Sequence, residues 1–379
     1  MSETRTEGVS TGRKPLIASI LLGLFGGGAV LAWGLAGLLT GPDPIGDGSD
    51  PESYGIDLSN AIVEREAIIS TGSPRDFLPA YLMPESLSGA EVADVNASES
   101  RKWQKNVVSG DRVIGLVIGG DIRAYPLFIV DAHEIVMDEV GGVPIVIARS
   151  PLTDEVMVYD RRLPDGTVMD FGVSGLLVDL ALLMYDTGSE SASLWSAHDG
   201  RAVAGPAVGA RLTPVPGVSV GTWRDWLALH PETLVALRDP ESMRRYRRID
   251  YRRYLDGDDW LIPPRRTAAG ADPDLPAGRD RVLTVMDTDA RVLGVVPIAE
   301  LQANAVAGRT RLVFGDRTMV IRPDAGASTA VVVDPGGLVT RFGMWSSVWT
   351  PDPEGAVEAL ERGRKSIGGD ALTPPDGSA

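Results

Sequence analysis

RVIGLVIGGDIRAYPL (112–127), HEIVMDEVGGVPIVIARSPLTDEVMVYDR (133–161) and DFGVSGLLVDLALLMYD (170–186) form the densest run of strand-like sequence in the chain. Val113–Ile118 and Ile122–Tyr125 flank Gly119-Gly120, and Ile135–Val140 and Val143–Ile147 flank Gly141-Gly142. Two apolar runs separated by a Gly-Gly pair predict tight hairpins. Val156–Asp160 and Thr167–Phe171 flank Leu163–Gly166 and predict a third. Pro126–Val130 reads as a short helix or turn. Strand after strand on short connections predicts a mostly β fold of the α+β kind, with antiparallel, barrel-like or curved sheets.

Outward from this run, short strands are expected over Leu182–Pro206 around Trp195. Thr222 reads as the N-cap of a helix carrying Trp223 and Trp226, stopped by Pro231. A second copy of the β unit is expected at 281–352. Arg112–Leu116 matches Arg291–Val295, Gly141–Asp160 matches Gly315–Asp334, and Phe171-Gly172 matches Phe342-Gly343, at offsets of 179, 174 and 171. Shrinking offsets are what loop deletions between retained strands produce. The second copy has no equivalent of His133.

Before the β region, Leu16–Thr40 runs for 25 residues without a charge. That length crosses a bilayer of ~30 Å at ~1.5 Å per residue. Arg13 and Lys14 precede it, and Asp43, Asp47, Asp50 and Glu52 follow. The positive-inside rule then places the N-terminus in the cytoplasm and the globular part outside. The expected organisation is a cytoplasmic tail (1–14), a transmembrane anchor (15–40) and a flexible linker (41–59). A main β domain (60–270), a second β repeat (271–352) and a terminal helix and tail (353–379) follow.

The chain has 379 residues, no cysteine, three histidines and a net charge of −16. The missing thiols exclude disulfides, thiolate catalysis and iron–sulfur clusters. The acidic balance argues against nucleic acid as a partner. No P-loop, dinucleotide fingerprint or His-Glu-x-x-His pattern occurs in the globular part, and no cofactor is implied.

Several of these stretches resemble a domain-of-unknown-function family of exported, often membrane-anchored prokaryotic proteins. The resemblance spans residues ~73–265 and rests on the three runs above with SLWSAHDGRAVAGP (193–206) and TWRDWLALHPETLV (222–235). It implies a Cys-Pro-Leu-Cys-Gly turn after the Gly141-Gly142 hairpin, and an Asn after His-Glu-Ile-Val. Here Ser150, Pro151, Leu152, Thr153 and Asp154 stand at the turn, and Met137 replaces the Asn. The thiols are gone while Pro151 and Leu152 keep the turn.

The candidate pocket therefore comprises His133, Glu134, Asp138, Ser150, Thr153 and Trp195, with His133 expected near the turn because the family pairs the two. Strand alternation puts His133, Ile135 and Met137 on one face and Glu134, Val136 and Asp138 on the other. A Ser150–His133–Asp138 hydrolase is disfavoured by that split, and a methionine copper site by the ordinary role of Met as core filler. Arg244, Arg245, Arg247, Arg248, Arg252 and Arg253, interleaved with tyrosines, form a candidate patch for an anionic envelope polymer or protein partner. The functional expectation is a non-enzymatic binding or scaffold module of the envelope. The alternative is a metal-handling or redox-related protein with a site around His133.

Overall fold

In Ile135–Val140, alternate side chains enter two different cores. Ile135 and Met137 pack with Phe171, Met184 and Trp195, while Val136 packs with Ile114, Tyr125 and Val158. A strand buried on both faces lies in the middle layer of a stack, and the structure is such a stack of three curled sheets. It is a computed structural model that describes residues 44–98, 105–188, 191–246, 249, 251–264, 274–324, 326–349 and 351–368. The anchor run 16–40 lies outside them. Among the described residues no helix is long and apolar enough to cross a membrane.

The middle sheet runs Val292–Pro297, Arg281–Met286, Val339–Met344, Glu155–Asp160, Val143–Ser150, Ile135–Val140 and Tyr81–Leu82, with Thr213–Pro214 added beside Glu155–Asp160. The second sheet runs Thr310–Phe314, Arg317–Asp324, Thr329–Asp334, Ser219–Thr222, Arg112–Ile118, Asp121–Pro126, Leu234–Ala236 and Ser86–Ser88. The third, of five strands, runs Ile68–Ser70, Phe171–Val178, Ala181–Asp186, Leu194–Ser196 and Ala202–Ala204. Most neighbours are antiparallel. Tyr81–Leu82 and Leu234–Ala236 pair in parallel with Ile135–Val140 and Asp121–Pro126, an exception to the antiparallel expectation.

Two runs share one order of elements. The first is the hairpin 112–126, helix Leu127–Asp131, meander 135–160, closing strand Ser219–Thr222 and helix Trp223–Leu229. The second is the hairpin 281–297, helix Ile298–Ala303, meander 310–334, closing strand Val339–Met344 and helix Trp345–Trp349. Each eight-stranded sheet sets the meander of one run beside the closing strand and hairpin of the other. The sheets therefore run across the expected boundary at 270/271. Asp154 and Ser328, both at φ 53, turn the chain at matching points of the two meanders.

This topology changes two alignments. The strand in the place of Arg112–Ile118 begins at Arg281, not at Arg291. The counterpart of Val339–Met344 is Ser219–Thr222, not the strand containing Phe171-Gly172. The third expected hairpin is present but short, with its turn at Leu163–Gly166. Thr167–Met169 pairs with Arg161–Leu163, through Leu163 N to Thr167 O at 2.8 Å, Met169 N to Arg161 O at 2.9 Å and an Arg162–Val168 bridge, instead of with Val156–Asp160. The free edge of Glu155–Asp160 is taken by Phe342 and Thr213–Pro214. The chain after Gly166 therefore crosses into the five-stranded sheet.

Other local expectations agree with the structure. Thr222 Oγ1 accepts the Asp225 amide at 3.3 Å and caps a helix that buries Trp223 and Trp226. Gly115 lies flat under the Trp226 ring, where a Cβ would sit 2.3 Å from the nearest ring atom.

Candidate functional site

The turn at which the resemblance implies a cysteine motif is a single 3-10 turn, Pro151–Thr153, ending at Asp154 in the left-handed region. Glycine adopts that conformation without strain and aspartate tolerates it. Both replaced thiol positions are closed. Ser150 Oγ donates to the Leu180 carbonyl at 2.9 Å, and Thr153 is fully buried.

Asp154 is the centre of a buried charge cluster. Arg112 Nη1 lies 3.0 Å from its carboxylate, Arg149 Nη2 2.7 Å and Arg281 Nε 2.7 Å. Arg149 is wholly buried and also reaches Asp131 at 2.8 Å. Burial alone would raise the Asp154 carboxyl, but the three guanidiniums hold it well below the usual carboxylate range.

The residue after it joins a second cluster. Glu155 lies 2.9 Å from His198 Nδ1, and His198 Nε2 accepts from Arg341 Nη1 at 2.7 Å. An imidazole that accepts from a guanidinium at Nε2 carries its proton on Nδ1, facing Glu155. Burial works against the charge on Glu155, and His198 with Arg341 outweighs it, leaving that carboxyl below its ordinary value. His198 and Ser347 line a small cavity of about 90 Å³ beside the Asp179–Leu180 turn, whose two residues both have positive φ.

His133 lies apart from the turn's hydroxyls. Its Nδ1–H donates to the Pro79 carbonyl at 2.7 Å, and its Nε2 accepts from the Tyr246 hydroxyl at 2.8 Å. The Tyr246 oxygen in turn accepts the Asp239 amide at 2.9 Å. The ring stacks on Tyr81, and burial pushes its pKa down. Both nitrogens are occupied by a neutral ring. Glu134 sits at φ 57, and its carboxyl is pushed up to about 8 by burial and by Asp131.

The remaining candidates are structural. Asp138 accepts from the Tyr125 hydroxyl at 2.7 Å and from Arg123 at 3.4 Å. Trp195 is fully buried and donates its indole N–H to Asp186 at 3.0 Å.

Among the described residues no group of three or more His, Asp and Glu is placed to hold a metal ion.

Of the arginine patch, Arg247 and Arg248 lie outside the described residues. Arg244, Arg252 and Arg253 are exposed, and Arg245 bonds Ser242 Oγ at 2.9 Å. The tyrosines between them point the other way. Tyr246 bonds His133, Tyr254 donates to the Leu152 carbonyl at 2.9 Å, and Tyr251 is close enough to Glu134 for that carboxylate to raise its pKa. The two sequence candidates are one place: the arginine–tyrosine segment straps over His133, Glu134 and the turn.

Glu155, His198 and Arg341 were not among the sequence candidates. His198 was legible as one of three histidines inside a family motif, whereas its partners come from strands far away in sequence. A cleft of about 470 Å³ lies elsewhere, at one end of the five-stranded sheet.

The family described as protein of unknown function (DUF3179) matches residues 89–355, and the chain belongs to it. No curated protein and no solved structure matches the chain.

Proposed function

We propose that this DUF3179 member is a membrane-anchored, extracytoplasmic and internally duplicated binding or scaffold module, without catalysis at the place of the family's cysteine turn. The observation that carries the reading is the saturation of that place. Ser150 is spent on a backbone carbonyl, Asp154 on three arginines and both nitrogens of His133 on protein groups. A nucleophilic hydroxyl needs a base to take its proton and a metal ligand needs a free lone pair. Leu16–Thr40 and its flanking charges support the anchor and its orientation.

The absence of cysteine gives a clean test of location. Asp316→Cys puts one thiol at an exposed hairpin tip, and Ser2→Cys puts one before the anchor. A membrane-impermeant maleimide applied to intact cells is expected to label the first, and to label the second only after lysis. The reverse pattern overturns the orientation. Elemental analysis of the full chain beside His133→Ala tests the absence of metal chemistry. Stoichiometric metal lost in the variant would replace this reading with the metal-handling one.

A further inference from the structure

The binding reading above leaves the ligand open, and the cleft at the end of the five-stranded sheet narrows it. The cleft encloses about 470 Å³, within the ~300–1,000 Å³ usual for small-ligand sites. It lies where strands Ala181–Asp186 and Ala202–Ala204 end and Leu194–Ser196 and Phe171–Val178 begin. Its lining has a polar wall, Asp170, Asp186 and Ser193, and an apolar wall, Val168, Pro206 and Ala207.

These groups are held in place before any ligand arrives. Asp186 accepts the Ser193 amide and the Trp195 indole N–H, each at 3.0 Å. Ser193 Oγ accepts the Ala207 amide at 2.8 Å, which ties the two walls together. Asp170 is paired with Arg161 at 2.5 Å, so that guanidinium is already neutralised.

We infer that this cleft binds a neutral polyhydroxylated ligand, a sugar residue or the end of a short oligosaccharide; the inference rests on the binding-module reading. Carboxylates accept only, so the ligand has to donate, and O–H donors to an ionised acceptor form the stronger class of hydrogen bond. The polar wall holds two carboxylates, which disfavours an anion. Val168, Pro206 and Ala207 offer the apolar surface on which the C–H face of a sugar ring packs. Aliphatic side chains and acceptors in one lining match a ring that is apolar on its faces and hydroxylated around its edge.

The test is titration of the detergent-solubilised full chain with chitotriose, cellotriose and maltotriose, followed by ligand-observed saturation-transfer NMR, with spermidine as a cationic probe. Saturable binding of at least one trisaccharide is expected. Ala207→Trp fills the cleft and should abolish it, while Asp170→Asn, at a half-exposed side chain, should weaken it by about tenfold. Unfolding midpoints of both variants should stay near the parent's. No saturable response to any trisaccharide, or a response that survives Ala207→Trp, overturns the inference. Saturable binding of spermidine alone shows a cation site and overturns the saccharide class. A failed titration with intact-cell labelling of Asp316→Cys preserved removes this inference and leaves the envelope reading standing. Successful titration with labelling only after lysis does the opposite.

Discussion

Arg112 and Arg281 open the leading strands of the two runs, in different sheets, and both close on the carboxylate of Asp154, at 3.0 and 2.7 Å. One carboxylate thus pins the first strand of each run to the Pro151–Thr153 turn.

Asp154→Gly sets two effects against each other. Relief of the left-handed backbone is worth about 1 kcal/mol. Leaving Arg149 buried beside a single remaining carboxylate costs roughly 3–5 kcal/mol. The loss wins, so urea unfolding should show a lower midpoint by a net few kcal/mol. A variant as stable as the parent would show that the arginines repartner freely.

Glu134 makes stability fall as pH rises. Its carboxyl sits near 8 in the folded protein against 4.5 as the reference value, so between those values the folded state holds a proton that the unfolded state has released. Stability is then fully present below about 4.5 and is lost as pH climbs through about 8. Glu134→Gln should flatten that slope and gain on the order of a few kcal/mol at pH 8 relative to the parent. Parallel pH–stability curves for the two proteins would refute the assignment.

Tyr246→Phe removes the hydroxyl that joins His133 to the Asp239 amide. Two buried polar groups lose their partner, a cost of roughly 1–3 kcal/mol. A lower urea midpoint with an unchanged slope is expected, together with a shifted His133 ring resonance in NMR. An unperturbed ring would mean that the strap does not hold the histidine.

Gly115→Ala should cost about 1–3 kcal/mol, because the new methyl would meet the buried Trp226 ring, itself held by a bond to Thr233 Oγ1. Gly110→Ala, with nothing within 4 Å of its Cβ, should stay within about 0.5 kcal/mol. Thermal melts of the pair separate packing from backbone effects.

Local features of the fold were legible because local chemistry decides them. The Gly119-Gly120 and Gly141-Gly142 hairpins need positive φ at both positions and have it. Thr222 caps its helix, and the alternation from Ile135 to Val140 reports two cores. What escaped were choices made at long range. Arg281 reaches Asp154 across 127 residues, and nothing in its own strand marks it rather than Arg291 as the partner of Arg112. Thr167–Phe171 reads as a limb paired with Val156–Asp160, yet that edge is occupied by Phe342 and Thr213–Pro214, and the hairpin stops at Arg161–Leu163. His133 drew attention for its place beside the motif, while His198 depends on Glu155 and Arg341, brought in by other strands.

The exchange of meanders between the two sheets also bears on how the molecule comes into being. The middle sheet cannot fill the gap between Glu155–Asp160 and Arg281–Met286 until Val339–Met344 arrives, nearly at the end of the chain. A nascent chain would therefore expose unpaired strand edges until almost all of it had emerged. Assembly is all-or-nothing from the far end. A chain truncated before Trp345 would be a target for proteolysis, rather than a smaller working domain.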